Sequence, residues 1–257
     1  MGIQSFNPIH LKTLGRVHTD VEAHKAIETA RAAGFDNLNL DLMHGLPNQT
    51  IEEGLLDLRT GLAFAPEHLS WYQLTIEPNT VFYKLKPELP AEDDAFLLEQ
   101  RGFEHLAKNN YQRYEISAFS IPHRQAEHNM NYWLFGDYYG IGAGAHGKWT
   151  SPETGVIYRT TKHRQPNDYL NPDKPYLAKL VTLTPNDCIL EYMLNTTRLE
   201  QSISLMHFTE RTHLPLLSLL PGLQTAQQKG LIEITNTHWR VTPHGRRFTN
   251  DLQAIFL

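Results

Sequence analysis

The stretch Asn37-Leu-Asn-Leu-Asp-Leu-Met43, followed by Gly45-Leu-Pro-Asn48 and Thr50-Ile-Glu-Glu53, decides the fold class. Its first part alternates with period two, so Leu38, Leu40 and Leu42 share one face while Asn39 and Asp41 share the other, as in a half-buried strand. Gly45 and Pro47 mark a turn. Thr50 and Glu53 form a capping box that opens a helix to about Leu62, each side chain answering a backbone N–H of the other. Upstream, Gly2-Ile-Gln-Ser-Phe6 reads as a strand, and a second capping box, Thr19-Asp-Val-Glu22, opens a helix through Ala33 that stops at Gly34. Downstream, the strand His68–Thr75 ends at Glu77-Pro-Asn79. The acidic turn Glu92-Asp-Asp94 then begins a helix to about Asn109, complementing the helix dipole. Tyr114-Glu-Ile-Ser-Ala-Phe119 reads as one further strand. Strands alternating with helices predict βα units on a parallel sheet over residues 1–150.

Residues 151–174, rich in Pro, Gly, Asn, Thr and charge, read as a linker. Beyond it the pattern turns mainly helical over 175–257. Thr184-Pro-Asn-Asp187 caps a helix to about Leu199, with proline at its first position. A leucine-rich segment, 214–229, ends at Gly230. Leu231–Thr235 and Trp239–Thr242 then flank Asn236-Thr-His238 as a hairpin, and Thr242-Pro243 caps a last helix to Leu257. Helices followed by a hairpin and a helix predict a winged-helix-like domain. Only Lys229, Arg240, Arg246 and Arg247 lie near the hairpin, so no basic recognition helix is present. With a formal net charge of −5 for the chain, nucleic acid is not an expected partner.

At 257 residues, 40% apolar and 20% charged, the chain has an ordinary globular composition. No run reaches the length of a membrane span and no secretory leader pattern is visible, which predicts a cytoplasmic location. One cysteine, Cys188, falls in the apolar helical pattern Asp187–Leu194 and reads as a buried structural thiol. A single thiol excludes an internal disulfide and a cysteine-ligated zinc or iron–sulfur site made by these residues alone. The 14 histidines contain no His-x-x-x-His pair.

Ligands of parallel βα sheets sit beyond the carboxyl ends of the strands. Gln4, Asp41, Gln73, Thr75, Glu115 and Ser117 are polar positions within otherwise apolar strands, which makes them candidates. Asp41 stands out, because a carboxylate on a strand face needs a ligand or a partner such as Arg16. The other candidate region is His128-Asn-Met-Asn-Tyr-Trp133 with Gly136-Asp-Tyr-Tyr-Gly-Ile-Gly-Ala-Gly-Ala-His-Gly147. Imidazole, aromatics and glycines together suit a flat metal-bearing ligand: a neutral imidazole can ligate haem iron, and aromatic faces stack on a ring. A hydrogen-bonded structural histidine is the commoner use of such a residue, and the residues alone leave both uses open. Gly142-Ala-Gly-Ala-His-Gly147 matches the letters of the dinucleotide fingerprint, but no strand precedes it and Lys148-Trp-Thr-Ser-Pro152 starts no helix.

Gly2-Ile-Gln-Ser-Phe6, Asn39–Thr50, Trp71–Thr80, Tyr114-Glu-Ile-Ser117, His128–Trp133, Gly140–His146 and Glu191-Tyr-Met-Leu-Asn195 occur in this order in the HemW family, and the chain resembles that family from Gly2 to its C-terminus. These radical-SAM proteins are haem chaperones similar to oxygen-independent coproporphyrinogen III oxidase. The resemblance implies part of a (β/α)6 barrel followed by a smaller C-terminal domain, with S-adenosylmethionine and a 4Fe–4S cluster in the full-length family. It implies that Gln4, Arg16, Asp41 and Thr75 contact S-adenosylmethionine. His128, Tyr132 and Trp133 match the His-Asn-x-x-Tyr-Trp signature linked to haem, with His128 as candidate iron ligand. Haem and a haem-accepting protein are the implied partners.

The family's Cys-x-x-x-Cys-x-x-Cys, its Gly-Gly-Thr-Pro turn and its Glu-bearing strand have no counterpart here, so the chain resembles the last two-thirds of a HemW protein. Three functions follow as expectations. The first is haem binding and transfer without radical chemistry by these residues. The others are a coproporphyrinogen-oxidase-type oxidoreductase, which requires a cluster, and an inactive truncated remnant whose exposed Gly2–Phe6 edge promotes self-association.

Overall fold

The computed structural model describes residues 1–257, which form two compact units, 1–126 and 127–257. The first contains β1 (Gly2–Gln4), α1 (Pro8–Thr13), α2 (Asp20–Ala32), β2 (Asn39–His44), α3 (Ile51–Ala63), β3 (His68–Gln73), α4 (Val81–Leu85), α5 (Glu92–Lys108), β4 (Gln112–Glu115) and β5 (Ala118–Ser120). Both expected capping boxes form: Thr19 and Glu22 close the start of α2, Thr50 and Glu53 that of α3. Such a cap contributes about 1 kcal/mol to its helix.

The sheet runs β1-β2-β3-β5-β4, and β1, β2 and β3 are parallel, as expected of part of a (β/α) barrel. The register pairs Leu40 with Leu69, Asp41 with Ser70 and Leu42 with Trp71. The alternation read in residues 37–43 therefore sorts the two faces. Leu40, Leu42, Leu69 and Trp71 bury against Ile27, Leu58, Leu98 and Leu106 of the covering helices. Asn39, Asp41 and Ser70 stay half-exposed on the opposite face. Asp41 occupies the middle of β2.

The single strand expected at residues 114–119 is instead a hairpin. The Ser117 backbone N–H and hydroxyl both donate to the Glu115 carboxylate, at 3.1 and 3.0 Å, which folds the chain back on itself. Local side-chain bonding of this kind competes with an extended ladder. β5 consequently pairs antiparallel with both β3 and β4.

The second unit contains α6 (Glu127–Trp133), β6 (His146–Thr150), β7 (Ile157–Thr161), α7 (Pro166–Tyr169), β8 (Lys179–Thr182), α8 (Pro185–Thr196), β9 (Ile203–Ser204), α9 (Leu205–Thr212), α10 (Leu220–Gln228), β10 (Ile232–Ile234), β11 (His238–Val241), α11 (Pro243–Arg247) and α12 (Thr249–Ala254). Where composition suggested a linker, at 151–174, β7 forms the middle of a three-stranded antiparallel sheet β6-β7-β8. Its five residues, Ile-Tyr-Arg-Thr-Thr, have the β-branched and aromatic character of a strand, masked in sequence by turn-rich flanks.

The expected winged-helix arrangement is present. α8, α9 and α10 precede the β10–β11 hairpin, and β9 adds a third strand beside β11. Tyr192, Met193, Phe208, Leu223 and Trp239 form its core. The terminal helix breaks in two at Phe248, whose backbone leaves the helical region. No helix is long and apolar enough to cross a membrane.

Candidate functional site

Each unit carries one group of interacting polar and aromatic side chains. In the first unit the polar face of the sheet carries a chain of hydrogen bonds. The Asn39 amide donates to Asp41 at 2.8 Å, while its oxygen accepts from Ser70 at 3.1 Å and lies 2.7 Å from His68 Nδ1. An amide oxygen can only accept, so His68 Nδ1 carries the proton, and in the neutral ring Nε2 accepts from the Tyr114 hydroxyl at 2.8 Å. Beside this chain, Tyr72 donates to Gln4 at 2.8 Å.

Gln4 is buried and holds φ +71, a left-handed conformation uncommon for a residue other than glycine. Burial, and next the Asp41 carboxylate, raise the Tyr72 phenol, against the opposing effect of Arg16. Tyr72 is thus hydrogen-bonded to Gln4 and feels the charges of Asp41 and Arg16. Thr75 is exposed two residues past the end of β3, and no hydrogen bond joins it to that group. The 4Fe–4S cluster that the resemblance implied for the full-length family does not fit the residues present. Cys188 is the single thiol, it is buried in α8, and no group of His, Cys, Asp or Glu is arranged to hold a metal.

In the second unit, α6 carries the His128–Trp133 motif. His128 is exposed, and Tyr132 lies four residues on, about 6 Å along the same helix face. The helix closes tightly: the Gly136 N–H donates to the Asn131 carbonyl at 2.7 Å and the Asn131 amide to the Asp137 carbonyl at 2.9 Å. Glycine suits residue 136, since a Cβ would stand 2.7 Å from the Asn131 backbone carbonyl oxygen as well as 2.0 Å from Asn131 Oδ1.

Beyond this turn lies a pocket of about 290 Å³. Tyr132, Trp133, Phe135, Gly136 and Tyr138 form one side, and Lys148, Arg159 and Asn195 complete it. His128 stands one turn outside, and the 140–147 loop, expected to shape a haem pocket, contributes no lining residue. His146 is exposed near the Thr161 hydroxyl.

The pocket's electrostatics come from two ion pairs. Lys148, only 2% exposed, donates to Asp137 at 2.7 Å and lies 4.2 Å above the Phe135 ring. Burial draws the Lys148 ammonium below its usual range despite that partner. Burial pushes the Asp137 carboxyl upward, but the hydrogen bonds from Lys148 and Thr150 outweigh it and hold it low. Arg159 donates from Nε and Nη2 to one Glu191 oxygen, at 2.8 and 2.6 Å, and from Nη1 to the Tyr138 hydroxyl at 2.7 Å. Tyr132 packs edge-on against Tyr138 with centroids 4.5 Å apart. The Trp133 ring lies against the Arg198 guanidinium at 4.2 Å, and its buried indole N–H finds no acceptor.

Sequence reasoning singled out Tyr132 and Trp133 but missed Lys148, Arg159 and Asn195. Lys148 and Arg159 fall in strands at or beyond the supposed linker boundary. The one available signal was Glu191-Tyr-Met-Leu-Asn195, whose polar ends are four residues apart and share a face of α8.

Comparison with known proteins agrees with this architecture. Residues 183–248 match the HemN C-terminal domain. The whole chain is 43% identical to the heme chaperone HemW of Haemophilus influenzae and 43% identical to that of Escherichia coli K12, covering 66% and 67% of their lengths. It is 32% identical to the heme chaperone HemW of Bacillus subtilis, covering 68% of it. The chain thus spans about two-thirds of the length of these curated relatives. The structure of coproporphyrinogen III oxidase (HemN) from Escherichia coli, a radical SAM enzyme, superposes with a TM-score of 0.77 at 21% identity. That match covers 100% of this chain and 63% of the other, a shared fold. With identity of this level over its full length, the chain belongs to the HemW family.

Proposed function

We propose that this chain binds haem as cargo and delivers it to an acceptor protein, with His128 supplying the axial nitrogen and Tyr132 and Trp133 flanking the ring. The observation that carries this reading is the geometry of α6, which presents an exposed imidazole and an aromatic ring on one face beside an aromatic, cationic pocket. A neutral imidazole has a lone pair for iron. Solvent exposure of His128 suits a protein that must release its cargo, because no residue has to open to free the ring. The relatives named as heme chaperones support the same reading.

In the first unit, Gln4, Arg16 and Asp41 with Thr75 are proposed to contact S-adenosylmethionine. The polar sheet face offers the donors and acceptors such a ligand needs, and no step of radical chemistry is derived from it, since these residues cannot ligate the cluster. No catalysis is expected of them alone, and we place the protein in the cytoplasm.

The test is a haemin titration of the chain followed in the Soret band. Binding with a shifted band, lost in His128→Ala and kept in His146→Ala, is the expected result. An unshifted spectrum, or a shift that His128→Ala leaves unchanged, would overturn the assignment.

A further inference from the structure

We propose that the pocket beside α6 is a carboxylate-binding site that takes a propionate arm of the tetrapyrrole, so that the macrocycle is anchored by its acid side chain while its ring lies outward over Tyr132 toward His128. The inference rests on the haem reading above and adds what fixes the orientation of the ring.

Size comes first. At about 290 Å³ the pocket falls just below the size of small-molecule sites, which run from roughly 300 to 1,000 Å³, so it admits an arm and not a tetrapyrrole ring. Its chemistry comes next. Lys148 and Arg159 bring fixed positive charge to the walls, and charge-assisted hydrogen bonds to a carboxylate are among the stronger ones a protein makes. Both cations already have carboxylate partners, yet neither is exhausted. A guanidinium has five N–H groups, and Arg159 commits three of them, to Glu191 and Tyr138. An ammonium has three, and Lys148 makes one short bond, to Asp137, and one long contact of 3.5 Å, to Thr150.

Burial matters as much as charge. A lysine only 2% exposed is desolvated before any ligand arrives, and its interaction with an incoming anion is less screened than at a surface. Asn195 adds a neutral amide with two donors. The direction of the arm follows from α6. Tyr132 lines the pocket and His128 lies about 6 Å away on the same helix face, so a ring hinged at the pocket passes over Tyr132 before its centre nears the imidazole.

The test compares haemin with its dimethyl ester, which keeps the iron and the ring but lacks the acid charge. It also uses iron-free protoporphyrin and its dimethyl ester, read by quenching of tryptophan fluorescence. The chain is expected to bind each free acid at least about tenfold more tightly than its ester. Lys148→Met should remove that preference. Asn195→Asp, nearly isosteric and a member of neither ion pair, should also remove it by placing a negative charge on the wall one helical turn from Glu191, and it guards against a Lys148 variant that fails to fold. Equal affinity for acid and ester in the unmodified chain, or a preference that survives Asn195→Asp, overturns the carboxylate site while leaving haem binding intact. An acid preference for iron-free porphyrin that persists in His128→Ala, alongside an unchanged Soret band, supports the site and overturns the axial ligand. Binding of none of the four probes overturns both.

Discussion

Gly102→Ala sets two effects of opposite sign against each other in the first unit. Gly102 lies inside α5, and replacing glycine by alanine in a helix interior contributes about 1 kcal/mol of stability. Here, however, the new Cβ would stand 2.0 Å from Cη2 and 2.4 Å from Cζ3 of Trp71. The indole has nowhere to go. It is 1% exposed, its ring centre lies 4.2 Å from that of His44, and Phe103 meets it edge-on at 6.0 Å. Overfilling a packed core costs about 1–3 kcal/mol, and an overlap this deep against a rigid ring costs about 3 kcal/mol. The net expectation is a loss of about 2 kcal/mol. Urea titration with hydrogen exchange read at the β2 and β3 amides measures the first unit separately from the second. Trp71→Phe removes the outer part of the indole, so alanine at 102 should then be neutral or stabilising, with a coupling of about 2–3 kcal/mol in the double-mutant cycle. Stabilisation by Gly102→Ala in the unmodified chain, or a coupling within about 0.5 kcal/mol of zero, would refute the packing argument.

Two further perturbations probe the same unit. His44 is buried against Trp71, and desolvation pushes its imidazole from 6.5 down to about 4. Because the folded value is depressed, the stabilisation is present above pH 6.5 and is lost as pH falls toward 4, about 3 kcal/mol in all. Unfolding free energies between pH 7 and 4 should show this slope in the unmodified chain and a flatter one in His44→Phe; parallel curves would remove His44 as the cause. Asp57, on α3, accepts from the Ser5 hydroxyl at 2.5 Å and the Phe6 N–H at 2.7 Å and so anchors the chain just after β1. Asp57→Ala leaves both donors unpaired and should cost about 2–5 kcal/mol, with Asp57→Asn milder. A loss under about 0.5 kcal/mol in urea titration would mean that the segment is anchored elsewhere.

The elements with local signatures were legible in sequence. Thr19/Glu22, Thr50/Glu53 and Thr184 each mark a helix start through contacts three residues apart, and all three caps form. The alternation at 37–43 assigns Leu40 and Leu42 to the core and Asn39 and Asp41 to the open face, as observed. The reversal at 116–117 was not legible, because six residues of strand character conceal a turn made by Glu115 accepting from Ser117. β7 was hidden likewise. A strand of five residues between turn-rich flanks becomes recognisable only when its partners β6 and β8 are known.

By itself the sequence determined the βα alternation, the winged-helix order, the single thiol and the His128–Trp133 motif, since each is written in neighbouring residues. The tertiary structure alone decided that Lys148, Arg159 and Asn195 converge with Tyr132 and Trp133 on one pocket, and that His128 stands outside it. The physical reason is distance along the chain. Arg159 meets Glu191 from 32 residues away and Lys148 meets Asp137 from 11. Strand pairing and helix packing set such meetings, and no periodicity records them.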